Sequence, residues 1–265
     1  MFSALWNFIL VNPILNVLVA LYKFTGSMGI AIIVLTLIIR ALLVPVMVPG
    51  TRNLKKQQEL QPELEKIKNK YKHDKAKQAE LQMKLFKEHG INPTFGCLSQ
   101  IAMITVLIAL FTVIQLFTVK GNGQLSDINH RIYFSNLTIG ANETIQTHFL
   151  YMDLAKPDPL FILAILSGVF QFIASKMTIP YIEKAEKLAE KTEPKADDLA
   201  FMMQQQSLYL MPVMNVIIGV TLPSGVVLYI LVTTIFMIVQ NYFVTGWGGL
   251  KPYINKLRYL RKAKI

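Results

Sequence analysis

One charged side chain, Arg40, lies near the middle of an otherwise uncharged apolar stretch. Residues 29–49 read GIAIIVLTLIIRALLVPVMVP, and a helix of 21 residues can cross a hydrocarbon core of roughly 30 Å. A charge at bilayer depth costs about 2.5–3.5 kcal/mol on insertion scales, so it usually faces a protein interior or a water-filled cavity. The alternative is that the side chain snorkels to the interface, but the central position of Arg40 argues against this.

The apolar segments offer Arg40 polar partners but no carboxylate, because all 16 Asp and Glu residues lie outside them. The guanidinium must then be solvated by water, carbonyls, hydroxyls and amides, which predicts a wet, positively charged cavity. The alternative for each polar residue is ordinary hydrogen bonding between helices, worth roughly 0.6–2 kcal/mol. The uncharged polar candidates are Thr36, Gln100, Gln115, Ser167, Gln171, Thr233, Thr234 and Gln240.

The composition indicates an integral membrane protein. Of the 265 residues, 53% are hydrophobic and 16% are charged, whereas soluble domains carry about 25% charged residues. A single cysteine, Cys97, excludes an intramolecular disulfide. The four histidines lie in polar connectors without metal-ligand spacing, and the chain has no nucleophile elbow or phosphate-binding glycine loop. We therefore expect no enzyme, no metal and no cofactor.

Apolar runs alternate with polar connectors along the chain and predict five transmembrane helices. Residues 1–28 are interrupted by Pro13 and three asparagines, which favours an interfacial helix and lead-in, with a further span as the alternative. The predicted spans are residues 29–49, 97–118, 159–177, 208–222 and 223–245. The connectors are a helical hairpin at 50–96, loops at 119–158 and 178–207, and a basic tail at 246–265.

The distribution of positive charge predicts the orientation of the chain. Residues 50–90, 178–207 and the tail together carry 21 Lys and Arg residues, whereas residues 119–158 carry three. By the positive-inside rule, the hairpin and the C-terminal tail lie in the cytoplasm and the N-terminus lies outside. The polar hairpin is either a solvated connector or a landing surface for a partner or for lipid head groups.

Several stretches, in order over nearly the whole chain, resemble the YidC/Oxa/Alb family of membrane insertases. They are LTLIIRALLVPVM around Arg40, LQPELEKIKNKYK and LQMKLFKEHGINP between residues 60 and 93, Gly96-Cys97-Leu98, FLYMDLAKPDPLFIL at 149–163, YLMPVMNVIIG at 209–219, LPSGVVLY at 222–229, and Gln240-Asn241-Tyr242. The chain departs from the family pattern at Ser99, Met103, Ile230 and Thr233-Thr234.

The resemblance implies a short bacterial insertase of the plasma membrane, without a large extracytoplasmic domain. It implies five spans around a hydrophilic groove that holds newly made membrane proteins while they insert, without ATP or cofactor. The implied partners are nascent clients, the ribosome and the Sec translocation channel, and a monomer is plausible. The resemblance matches Arg40 to the family's groove arginine. The other candidate groove residues are Thr36, Gln100, Met103, Gln171, Thr233, Thr234 and Gln240. The implied ribosome-contacting residues, which could equally hold anionic lipid, are Lys256, Arg258, Arg261, Lys262 and Lys264.

Two other functions stay open at this point. A small anionic-solute transporter or channel would use Arg40 to bind its substrate, but it predicts an internal repeat that the sequence lacks. The absence of carboxylates from the spans also argues against ion coupling. The third hypothesis is a purely structural assembly partner, which would not contact nascent chains.

Overall fold

The computed structural model describes residues 2–91, 94–118, 123–140, 145–178 and 206–262. These residues are mostly helical, with one sheet of two short strands, which confirms the helical class in its coarse form. The α-helices are α1 Phe2–Trp6, α2 Asn12–Thr25, α3 Met28–Glu59, α4 Gln61–Lys70, α5 Lys75–Glu88, α6 Thr94–Thr118, α7 Gly123–Arg131, α8 Ile162–Thr178, α9 Met211–Thr221, α10 Ser224–Thr245 and α11 Lys251–Lys262. The strands are β1 His148–Phe149 and β2 Met152–Asp153.

The chain divides into two compact units. The first unit comprises Met1–Leu43, Ile101–Gln171 and Met211–Phe236, and the second comprises Val44–Gln100, Phe172–Leu210 and Met237–Ile265. The predicted connector 178–207 lies, apart from its ends, on residues 179–205, which are outside the described residues.

The first unit is built around one hydrophobic core to which the N-terminal helices contribute a continuous face. Val11, Ile14, Leu15, Leu18 and Val19 of this segment are buried, and their spacing of three, four, seven and eight residues marks one side of a helix. They belong to the same core cluster as residues of α3, α6, α8 and α10. The N-terminal segment is therefore an integral part of the first unit.

The backbone accommodates Pro13 with a widened helical turn. A π-helix, Asn7–Val11, joins α1 to α2, and the N–H of Asn12 donates to the carbonyl of Asn7, five residues earlier. Proline lacks an N–H and its ring crowds the preceding turn of an α-helix, so a wider turn at this point relieves the conflict. The helix continues through Pro13 to Thr25 and ends at Gly26, whose φ is +69°.

Three described helical segments are long and apolar enough to cross a membrane: Ser3–Thr25, Met28–Asn53 and Ser224–Thr245. Shorter apolar helices cover Ile101–Phe117, Ile162–Thr178 and Leu208–Thr221. The length of the N-terminal segment fits the alternative of a span, and its interfacial placement stays a prediction. The count of five spans likewise stays a prediction.

Side chains of α2 hold the connector that follows α7. The amide of Asn16 donates to the carbonyl of Arg131 at 2.8 Å, and its oxygen accepts the N–H of Tyr133 at 2.7 Å. Lys23 donates to the carbonyls of Asn136 and Thr138. These bonds satisfy backbone groups of a segment whose described part includes only a short 3-10 helix, Ser135–Leu137.

The second unit contains a helical hairpin formed by α4 and α5. Leu60, Leu85, Phe86 and Ile91 form its small core. The Asp74 carboxylate accepts the N–H of Lys77 at 2.9 Å and so caps the start of α5. The core is small, so polar side chains cover most of the hairpin.

The tail helix α11 also belongs to the second unit, where it contacts the end of α8. The Lys176 ammonium donates to the hydroxyl of Tyr253 at 3.1 Å and lies 4.5 Å from the centroid of that ring. This cation–π contact and hydrogen bond tie the first turn of α11 to α8.

Candidate functional site: a buried arginine among helix hydroxyls

Arg40 lies inside the first unit, on the same face of α3 as Thr36. The side chain of Arg40 is 3% exposed and that of Thr36 is 1% exposed. Residues four apart stack on one face of a helix, so the sequence of α3 alone places them together. Outward-facing neighbours such as Leu37, Ile38 and Leu42 are exposed, at 42–71%. The guanidinium therefore points into the protein and not toward lipid.

Helix α10 supplies the hydroxyl that contacts the guanidinium. The Arg40 Nε–H donates to Oγ1 of Thr233 at 3.4 Å, a distance at the long end of the hydrogen-bond range. The phenol of Tyr229, one turn earlier on α10, lies close to both groups. Both α10 residues are buried, at 1% exposed for Thr233 and 3% for Tyr229.

A second contact joins α10 to α8. Thr234 donates to the Ile230 carbonyl of its own helix at 2.8 Å and lies 3.5 Å from the amide oxygen of Gln171. Successive residues Thr233 and Thr234 thus face different neighbours, α3 and α8. We call the group of Thr36, Arg40, Gln171, Tyr229, Thr233 and Thr234 the Arg40 site.

The wet, positively charged cavity that the sequence predicts around Arg40 stays a prediction. At 3% exposed, the guanidinium is enclosed by protein, and the solvating groups that the structure identifies include the Thr233 hydroxyl. The Thr233 hydroxyl is a neutral acceptor.

The structure brings together five of the predicted site residues and adds one. Thr36, Arg40, Gln171, Thr233 and Thr234 all belong to the Arg40 site. Tyr229 is missing from the sequence prediction, although its spacing of four residues from Thr233 on a helix is a usable signal. At the departure from the family pattern, Thr233-Thr234, the Thr233 hydroxyl serves as the acceptor for Arg40.

The remaining candidates stay predictions. Met103 is partly buried on α6, and Gln240 is partly buried on the part of α10 that belongs to the second unit. Lys256 is exposed on α11. The side chains of Gln100, Arg258, Arg261 and Lys262, and all of Lys264, lie outside the described residues.

The arrangement of the Arg40 site suits reversible contact with polar groups. Within the part of the chain that the structure describes, no three His, Cys, Asp or Glu side chains are grouped to hold a metal ion. Arg40 presents N–H donors on a planar guanidinium, which can bind carboxylates or carbonyls. A donor held by a long bond to a neutral hydroxyl can exchange that partner for a stronger acceptor.

Comparison with known protein families identifies the chain. The model of the family described as 60Kd inner membrane protein matches residues 20–248. The chain belongs to this family. Its members include a membrane protein insertase YidC from Alkalihalophilus pseudofirmus, 33% identical over 96% of this chain and 88% of the relative. The membrane protein insertase MisCA of Bacillus subtilis is 29% identical over 91% of this chain and 79% of the relative.

A solved structure of the family has the same fold. The structure titled "Active YidC insertase crystal structure with the first transmembrane domain resolved" matches with a TM-score of 0.55 and 25% identity. The match covers 84% of this chain and 43% of the solved chain, so this chain spans less than half the length of that protein. The resemblance to the YidC/Oxa/Alb family seen in the sequence is thereby confirmed.

Proposed function

We propose that this chain is a membrane protein insertase whose Arg40 site receives polar parts of its clients. Relatives that cover most of the chain are named membrane protein insertases, which supports the function predicted from the sequence and disfavours the solute transporter. Proteins with these names insert other proteins into membranes and are not enzymes. The observation that carries the role of the site is a buried arginine held by a neutral hydroxyl through a 3.4 Å bond.

The chemistry of the site explains how a client segment would be held and then released. A polar backbone or side chain in hydrocarbon costs several kcal/mol if it finds no hydrogen-bond partner. Arg40 offers charged donors at this depth, and a client carboxylate or carbonyl competes with the Thr233 hydroxyl for them. A fixed acid beside Arg40 would form a strong pair and block this exchange.

The membrane arrangement that fits this role has five spans, with the N-terminus outside and the C-terminus in the bacterial cytoplasm. Helices α3 and α10 are long and apolar enough to span, and shorter apolar segments lie at Ile101–Phe117 within α6, at Ile162–Thr178 and at Leu208–Thr221. The bias in positive charge supports the orientation. The hydrophilic groove would lie among these spans, with the Arg40 site as its polar wall.

The proposed partners are those that the predicted cytoplasmic side of the chain would meet. Nascent membrane proteins are the clients, and the ribosome, the Sec translocation channel and anionic lipids are partners on the basis of the positive charge. The tail 246–265 carries six Lys and Arg residues and no acid, which suits phosphate groups of RNA or lipid. The hairpin of α4 and α5 offers a second charged cytoplasmic surface.

Reconstitution separates the insertase from the transporter. Proteoliposomes that contain the purified chain should insert a client with an acidic translocated segment, measured as the protease-protected fraction, and should not pass small anions. Anion flux without client insertion would contradict the proposal and favour the transporter.

Substitution of Thr233 tests the partner of Arg40. We expect Thr233→Val to slow insertion of acidic clients about fivefold, because Arg40 loses the acceptor that positions its guanidinium before a client arrives, a long hydrogen bond worth about 1 kcal/mol. Thr233→Ser keeps the hydroxyl and should insert at the native rate. If the two variants insert equally, the hydroxyl has no part in the site.

A further inference from the structure

The connector before α8 is a hydrogen-bonded unit between β1 and the first turn of that helix. The backbone N–H of Leu154 donates to the carbonyl of Thr147 at 2.9 Å. The Asp153 carboxylate accepts the hydroxyl of Thr147 at 2.7 Å and the N–H of Ala155 at 3.1 Å. Met152 and Leu154 are each 2% exposed, in the core of the first unit. The connector therefore has a fixed shape.

This connector is bonded directly to the start of α10. The carbonyl of Lys156 accepts both the N–H and the hydroxyl of Ser224, each at 2.7 Å. The carbonyl of Leu154 accepts the N–H of Gly225 at 2.9 Å. A Cβ at position 225 would lie 3.1 Å from that carbonyl oxygen, so glycine permits the approach. Backbone groups at the start of α10 are thus satisfied by a distant segment of the chain.

The same connector is bonded to the start of α8 through Asp158, which is 1% exposed. Its carboxylate accepts the N–H of Leu160 at 3.1 Å, the N–H of Leu163 at 2.8 Å and the hydroxyl of Tyr151 at 3.0 Å. Three donors compensate a buried carboxylate for its lost water. Tyr151 is 41% exposed; partial burial of its phenol and the bond to Asp158 raise its pKa to about 12, so the phenol stays protonated and donates at physiological pH.

We propose that Asp158 and Tyr151 are positioning residues for the Arg40 site. Together with the carbonyls of Leu154 and Lys156 they form what we call the loop clamp. The loop clamp binds the first turns of α8 and α10, and these two helices carry Gln171, Thr233 and Thr234 further along. It fixes the register of α10 against α8 and so sets where the Thr233 hydroxyl meets Arg40. The inference rests on the proposed function of that site.

Tyr151→Phe and Asp158→Asn test the loop clamp, because each removes one donor or acceptor with little change in shape. Tyr133→Phe, in the connector that follows α7, and Asp127→Asn, on α7, are matched controls at exposed positions. The register of α10 against α8 is measured separately from client insertion. The measurement uses a Cys97→Ser chain that also carries Gln171→Cys and Thr234→Cys. The native Thr234 hydroxyl lies 3.5 Å from the end of the Gln171 side chain, which is longer than cysteine, so a short reagent that bridges two thiols should crosslink the cysteines.

We expect the two clamp variants to slow this crosslinking several-fold and the controls to leave it unchanged. In chains with native Gln171 and Thr234, the clamp variants should slow insertion of acidic clients, and they should add no further loss to Arg40→Ala. Non-additivity is the signature of residues that act through one site.

Unchanged crosslinking in both clamp variants would overturn the inference. So would an equal loss for acidic and neutral clients that adds to the loss from Arg40→Ala, because that marks a general structural role. If the clamp variants crosslink more slowly while Arg40→Ala inserts clients normally, the two claims separate. The loop clamp would then still set the register of α10 against α8, but the proposed function of Arg40 would be wrong.

Discussion

Arg40→Ala should insert clients with acidic translocated segments at least about tenfold more slowly than the native chain. A hydrogen bond between charged groups is worth about 1.5–3 kcal/mol, and each 1.4 kcal/mol is a factor of about ten. The variant should still fold, because removal of a buried charge also removes the cost of burying it. Insertion into proteoliposomes, measured as protease-protected client, gives the rate.

Two controls make this result specific. Arg40→Ala should slow insertion much less for a client whose translocated segment lacks acids, since the polar backbone of that segment is a weaker partner for Arg40 than a carboxylate. Arg40→Lys keeps the charge but loses the planar guanidinium, and we expect an intermediate rate. Equal insertion of acidic clients by the native chain and Arg40→Ala would contradict the role of the arginine.

Gly219→Val should destabilise the first unit by about 1–3 kcal/mol, the usual cost of overpacking a core. A Cβ at Gly219 would lie 3.0 Å from the Cβ and 3.1 Å from the Cα of Ala164, so α9 and α8 pack in close contact there. Small residues that let helix backbones approach are typical of membrane interiors. Val would push α9 away from α8, the helix that carries Gln171. The melting temperature of the detergent-solubilised chain should fall.

The comparison variants for Gly219 lie on the same helix. Gly219→Ala adds only the Cβ and should cost less than Gly219→Val. Ile217→Val changes a side chain that is 56% exposed and should leave the melting temperature nearly unchanged. If Gly219→Val has the same melting temperature as the native chain, the packing of α9 on α8 is not tight at this point.

The helical character and the inward direction of Arg40 could be predicted from the sequence. Long apolar runs allow only helices or closed barrels in a membrane, and their length here fits helices. The cost of a charge in lipid predicts that Arg40 faces inward, and the spacing of four residues places Thr36 beside it. These arguments use local pattern and transfer energy, both of which one sequence contains.

Tyr229 and Asp158 were not identified as functional candidates, because their roles depend on contacts between distant segments. Tyr229 is one tyrosine of ten until α10 is placed beside α3. Asp158 accepts donors from its own connector and from Leu163 in the first turn of α8. Lys156 reaches Ser224, 68 residues later, through a backbone carbonyl. Every residue has a backbone carbonyl, so the pattern of residue types does not reveal such a bond. The π-helix at Asn7–Val11 likewise reflects how the chain adapts to Pro13 and not a sequence period.

Site-specific photocrosslinking from Thr36 to a ribosome-bound nascent chain tests most directly whether clients meet the Arg40 site. Thr36 lies one turn from Arg40 on the same face of α3, so a probe at this position samples the Arg40 site while the arginine side chain is kept. A matched probe at Leu42, 71% exposed on the outer face of α3, reports contact from the lipid side. We predict that the Thr36 probe crosslinks to the polar translocated segment of the client. Crosslinks from Leu42 alone, with none from Thr36, would contradict the account.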